Sequence, residues 1–248
     1  MKSKFILSRS KVLEQYNVLR DLGVNVSYSW KTNPLVGKIL ESESDSDFSV
    51  HALEEIPDIS NKSRIWFFSQ AWNVGEIEKL IGFGINSFVV DNEVDLNELI
   101  DFIDKHNVKV NLLLRMKFSE RRVQSGKYFV YGMDSHKVSE FILKLKDNKN
   151  IGKLGIHVHR KSQNTSEWTL QNELEESLSK EVLEIISIIN IGGGLPVKYR
   201  NYTSDVLNYI FSQIKDLREW LREKNISLVV EPGRFIAGPS VKLSTEII

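Results

Sequence analysis

Short runs of β-branched and apolar residues alternate along the chain with longer stretches whose apolar positions recur at helical spacing. Eight runs read as strands: 24–30, 47–50, 64–69, 87–90, 109–115, 153–159, 185–191 and 227–231. Between them the spacing predicts helices such as 73–83, 93–106, 135–146 and 204–224. The order is strand then helix throughout, which calls for an α/β fold with a parallel sheet. Periodicity leaves two forms open, a doubly wound open sheet and a closed (β/α)8 barrel of the TIM type. A barrel assembles its ligand site from the C-terminal ends of many strands. The unusual residues stand at such ends: Lys31, Arg115, His157 with His159, Gly192 to Gly194, and Glu231 to Arg234. That distribution favours the barrel over a sheet with a single crevice.

Composition narrows the function classes. A length of 248 residues suits one barrel, which needs about 250. No apolar run approaches the roughly 18 residues of a membrane-spanning helix. The start, Met1-Lys2-Ser3-Lys4-Phe5-Ile6-Leu7, lacks a long apolar stretch and a small-residue cleavage site, so no signal peptide is read and the cytoplasm is expected. Lys plus Arg and Asp plus Glu each number 33, which leaves no bulk field to attract nucleic acid or anionic lipid. The absence of cysteine excludes disulfides, thiolate metal sites and a cysteine nucleophile within these residues. The acidic, serine-rich stretch 41–47 and the polar stretch 144–150 read as solvated turns, and no repeat or linker divides the chain.

Four segments carry candidate chemistry. Tyr28-Ser29-Trp30-Lys31-Thr32-Asn33-Pro34 ends a strand and begins a helix, and alternation puts Tyr28, Trp30 and Thr32 on one face with Ser29 and Lys31 on the other. Alone, Lys31 also reads as a solvated strand-end lysine. A lysine confined in a partly desolvated site can supply a neutral amine that attacks an aldehyde. Gly192-Gly193-Gly194 follows a buried-looking strand and suits either a flexible turn or a nest of backbone N–H groups for an anion; no Walker-type lysine follows it. Glu231-Pro232-Gly233-Arg234 sets a carboxylate and a guanidinium about a fixed turn, where they serve one ligand or form a surface ion pair. His157 and His159 share a strand face, suited to stacking on a flat ligand or to core packing; with no acidic or cysteine partner nearby in sequence, no metal is assigned. His51, His106 and His136 have no context that raises them above surface or capping histidines.

In this order the segments resemble the alanine-racemase-like barrel domain of the ornithine, diaminopimelate and arginine decarboxylases, which use pyridoxal phosphate. Tyr28 to Asn33 is similar to that family's Schiff-base lysine segment, Gly192 to Gly194 to its phosphate loop, and Glu231-Pro232-Gly233-Arg234 to its most distinctive tetrapeptide. The resemblance implies that Lys31 binds the cofactor covalently, that His157 stacks on the pyridine ring, and that the glycine amides and Gly233-Arg234 hold the phosphate. Glu231 would pair with the pyridine nitrogen and raise its pKa, by roughly 1–3 units for a close opposite charge. Arg115 and Tyr131-Gly132-Met133 fall where the family has further cofactor-side residues.

The implied function is decarboxylation of a basic or diamino amino acid, as in amino-acid or polyamine metabolism, by a homodimer in the complete protein. An arginine in place of Glu231 would speak for a racemase on the same barrel, and a non-catalytic cofactor-binding protein is the other alternative. Ser49 stands where the family usually has an aspartate, and the segment from His157 lacks the usual glycine after His-Val. Residues 241–248 read as the first strand of a C-terminal β domain that this chain does not contain, with 5–7 as its pairing strand, so a fragment, a trimmed chain or a stand-alone barrel is expected, a poor catalyst by itself.

Overall fold

A computed structural model describes residues 3–118, 131–159, 168–197 and 204–245. The strands are β1 (Lys4–Leu7), β2 (Asn25–Ser29), β3 (Asp47–Val50), β4 (Ile65–Phe68), β5 (Ser87–Val90), β6 (Val110–Lys117), β7 (Met133–Asp134), β8 (Ile151–His157), β9 (Ile188–Asn190), β10 (Ser227–Val230) and β11 (Val241–Ser244). The helices are α1 (Arg9–Arg20), α2 (Pro34–Glu43), α3 (Val74–Gly82), α4 (Glu93–His106), α5 (Ser135–Leu145), α6 (Leu170–Ser177), α7 (Lys180–Ile185), α8 (Ser204–Arg222) and α9 (Arg234–Ser240). The parallel order β5-β4-β3-β2-β10-β9-β8-β6 is closed by pairing of β6 with β5, which makes the eight-stranded barrel. Two-residue β7 adds beside β6, and β1 pairs antiparallel with β11 outside the barrel, Phe5 opposite Leu243. Phe5 is 77% and Leu243 60% exposed there. No described helix is long and apolar enough to cross a membrane.

Local signals set the helix starts. Asn73 and Glu76 form a reciprocal capping box on α3, and Asn92 caps α4, whose far end closes on Asn107 in the left-handed region. Several strand boundaries differ from those the sequence periodicity suggests. β2 stops at Ser29 because Trp30–Thr32 wind into a 3₁₀ turn, β8 stops at His157, and Ile185 closes α7 rather than opening β9.

The two faces of the barrel strands bury into different cores. Phe67, Phe88, Leu112, Leu114, Ile189 and Leu228 join the main core beneath the helices. Trp66, Phe68, Val89, Leu113, Ile188 and Val229 form a separate cluster that fills the barrel interior. Two residues further along each strand the inward series turns polar: Ile188 leads to Asn190, Gly155 to His157, Leu113 to Arg115, Val89 to Asp91 and Val229 to Glu231. The barrel thus has an apolar floor and a polar mouth.

Gly155 is required for that closure. A Cβ there would lie 2.0 Å from the Ile188 carbonyl oxygen, so β8 and β9 approach only because this residue has no side chain. Gly155→Ala is expected to cost about 2 kcal/mol or more, as overpacking does, measured as a lowered urea midpoint with unchanged m-value; an unchanged midpoint would show that the strands can part freely.

Candidate active site

A cavity of about 1070 Å³ opens at the C-terminal ends of the barrel strands. It is slightly larger than the roughly 300–1000 Å³ usual for small-molecule sites. Lys31, Arg115, His157, Gly193, Gly194, Glu231, Gly233 and Arg234 all line it, so eight residues singled out from the sequence converge on one space.

Lys31 reaches the cavity from the 3₁₀ turn after β2. Its neighbour Trp30 is fully buried, edge-on to Phe48 at 5.1 Å, and pressed against Gly37 of α2, where a Cβ would come within 2.5 Å of the indole. The anchored indole fixes the turn and with it the start of the lysine side chain. Because the turn breaks strand alternation, Thr32 lines the cavity with Lys31 instead of facing away from it. Thr32 Oγ1 would lie 2.3 Å from a Cβ at Gly233, so the glycine of the Glu-Pro-Gly-Arg turn makes room for the lysine turn.

Glu231, immediately after β10, is the centre of the site. It is 5% exposed, and its Oε1 accepts hydrogen bonds from Ser49 Oγ at 2.9 Å and Asn190 Nδ2 at 2.8 Å. Oε2 meets His157 Nε2 at 3.4 Å. Burial by itself would raise the carboxyl pKa; the attraction of His157, its hydrogen bond, and the contributions of His159 and Ser49 outweigh that, and the pKa falls to about 2. The group is therefore a buried anion at neutral pH. Ser49, at the family's aspartate position, leans on Ser27 at 2.8 Å and serves this carboxylate.

His157 is 1% exposed, and its Nδ1 has no hydrogen-bond partner among the described residues. His159 lies past the strand end, its ring parallel to that of His157 at 6.3 Å and 7°. His159 is exposed towards the cavity, and the water its ring loses at the cavity wall, then the charge of His157, pushes its pKa down to about 4. Ligand atoms of His157, His159 and Glu231 lie within 4.8 Å of one another, a grouping invisible in the sequence because the acid comes from β10. Arg115 lies over the Tyr131 ring at 5.4 Å, and burial lowers its pKa against the opposing charges of Asp91 and Glu231. Gly132, with φ +116°, lets Tyr131 turn there, since a Cβ would meet the Arg115 carbonyl oxygen at 2.8 Å.

The glycine triplet divides in function. Gly192 does not line the cavity: its N–H donates to Asn190 Oδ1 at 2.8 Å and its carbonyl accepts from the Glu231 N–H at 2.8 Å. The expectation that all three amides face an anion is corrected to Gly193 and Gly194 as the cavity-lining pair, with Gly192, at φ +68°, turning the chain. Arg234 lines the same region as the first residue of α9.

Several participants were not legible in the sequence. His51, read as a surface or capping residue, lines the cavity stacked on Phe68 at 4.4 Å and 4°, its pKa pushed down to about 4 by burial and then by the charge of Lys31. Phe68 sets its edge against His157 at 5.2 Å. Asn190 and Asp91 each end an inward series, and that position at the strand end is the signal that could have found them. Residues 160–167, where the histidine segment departs from the family pattern, lie outside the described residues.

The donor set suits pyridoxal phosphate: an amine for its aldehyde, a buried anion and a flat imidazole with an unfilled nitrogen for its ring, and backbone and guanidinium donors for its phosphate. Comparison with known proteins agrees. The chain is 25% identical over 194 residues to diaminopimelate decarboxylase of Halalkalibacterium halodurans, taking in 71% of this chain and 44% of that enzyme. With diaminopimelate decarboxylase of Aquifex aeolicus it shares 26% identity over 194 residues, or 70% of this chain and 44% of that one. The matched part thus spans less than half the length of these relatives. In fold it is similar to lysine/ornithine decarboxylase of Vibrio vulnificus complexed with cadaverine, with a TM-score of 0.78 and 23% identity over 98% of this chain and 66% of the other. The diaminopimelate decarboxylase of Helicobacter pylori complexed with L-lysine gives a TM-score of 0.80 at 18% identity, with coverage of 98% and 66%. Residues 13–238 match the pyridoxal binding domain of the pyridoxal-dependent decarboxylases, and the chain belongs to that family.

Proposed function

We propose that this barrel holds pyridoxal phosphate through Lys31 and that the complete protein removes CO2 from an amino acid carrying a second amino group. The observation that carries the reading is Glu231, a buried carboxylate kept ionised in the same cavity as Lys31, the one lysine that lines it among the described residues. The diamino-acid class rests on the relatives, which are named as decarboxylases of diaminopimelate, lysine and ornithine. A homodimer belongs to the same reading.

When bound, the cofactor supplies a protonated pyridine ring that takes up the electron pair left by departing CO2. The residues divide the remaining work. Lys31 carries the amine that attaches the cofactor. Glu231, its charge held by Ser49, Asn190 and His157, keeps a proton on the ring nitrogen. His157 presents a buried flat ring for the cofactor to lie against, and Phe68 braces that ring edge-on. Gly193, Gly194 and Arg234 offer donors to the phosphate. A carboxylate at 231, where a racemase would have an arginine, supports decarboxylation.

Borohydride reduction of the protein with added pyridoxal phosphate, followed by peptide mapping, should tag Lys31. A tag on another lysine, or cofactor bound with no tag, would sink the central assignment.

A second test concerns the charge at 231. With pyridoxal phosphate labelled by 15N in the ring, the nitrogen shift should stay in the protonated range from about pH 6 to 9 in the wild type, because Glu231 titrates near 2 and remains ionised throughout. Glu231→Gln removes the charge and should move the signal to the unprotonated range at the upper end of that span, while CO2 release, where the protein turns over, falls about a hundredfold or more. A signal that is the same in both proteins would show that the ring nitrogen lies elsewhere.

A further inference from the structure

The Gly193 amide has two claimants. It donates to His159 Nδ1 at 3.2 Å, yet it also belongs to the cavity-lining part of the glycine loop that would receive a phosphate. We propose that His159 is a positioning residue that holds the Gly193 N–H and competes for it with the cofactor's phosphate, so that the side chain at 159 sets how much the phosphate contributes to affinity. This rests on the reading of the cavity as a pyridoxal phosphate site.

The contact is built into the fold. Gly192 turns at φ +68° directly against the histidine, where a Cβ would lie 2.5 Å from His159 Nδ1 and 2.8 Å from the Val158 carbonyl oxygen. The loop and the ring are therefore seated on each other. The Gly192 N–H is already committed to Asn190, so it cannot replace Gly193 as a donor to an anion without breaking an internal bond. To accept from Gly193, Nδ1 must be unprotonated, which leaves the ring proton on Nε2; the lowered pKa keeps the ring neutral at ordinary pH. The His159 ring stands parallel to that of His157, 6.3 Å away at 7°, while it makes this bond. An oxyanion approaching Gly193 has to displace the imidazole. The exchange trades one hydrogen bond for another, so the phosphate gains less from Gly193 here than from an unoccupied amide.

The test compares the wild type with His159→Ala and His159→Asn. Asparagine puts an amide oxygen close to the former Nδ1 and keeps the acceptor; alanine removes it. Affinities for pyridoxal phosphate and for pyridoxal, which lacks the phosphate, are measured by absorbance, and the 15N-labelled proteins are titrated with inorganic phosphate while the Gly193 amide resonance is followed. In His159→Ala the ratio of the two affinities should rise about three- to tenfold, the worth of one freed hydrogen bond, and phosphate should move the Gly193 signal at correspondingly lower concentration. His159→Asn should stay near the wild type. A ratio that is unchanged or lower in His159→Ala, or a Gly193 signal that phosphate moves in none of the three proteins, overturns the proposal. If the wild type takes up phosphate at Gly193 with the expected gain in His159→Ala but forms no bond between Lys31 and the cofactor, the competition stands and the cofactor reading fails.

Discussion

A charge taken out of water has to be compensated, and in this barrel that charge is the Glu231 carboxylate. Its compensation comes from strands that are distant in sequence: Ser49 on β3, Asn190 on β9 and His157 on β8, around β10 itself. Removing one partner leaves a buried anion short of a hydrogen bond, at a cost of about 1–3 kcal/mol or more for a charged group. The network around this carboxylate therefore also pins the polar end of the barrel. Ser49 shows how a departure from a family pattern is absorbed: a hydroxyl in place of a second acid removes a like charge and supplies a donor.

The barrel itself was legible because its strands are short, apolar on both faces and separated by helices with visible caps, such as Asn73 with Glu76. The ends of strands were less so. Alternation carried through Trp30 to Lys31 predicts the right neighbour for Lys31 and the wrong one for Thr32, since a 3₁₀ turn, fixed by the fit of Trp30 against Gly37, intervenes. Composition and motif brought out residues whose chemistry is unusual at a strand end, which is why Lys31, His157 and Glu231, which the fold brings to one cavity, were singled out.

Residues whose role comes only from long-range proximity were missed. Asn190 is an ordinary amide until the fold brings it to Glu231, 41 positions away, and His51 is an ordinary histidine until Phe68 lies flat against it. The glycine triplet stands out for its free backbone, but spacing cannot say which amides are spent internally. Here Asn190 claims Gly192 and His159 claims Gly193.

The apolar floor formed by Trp66, Val89, Leu113, Ile188 and Val229 closes the barrel beneath its polar mouth. Whatever rests on Glu231 enters over the rim and leaves by the same route, past any molecule that arrived after it. A tightly held visitor near the rim slows the escape of whatever lies beneath it, without touching the groups that bind the deeper molecule.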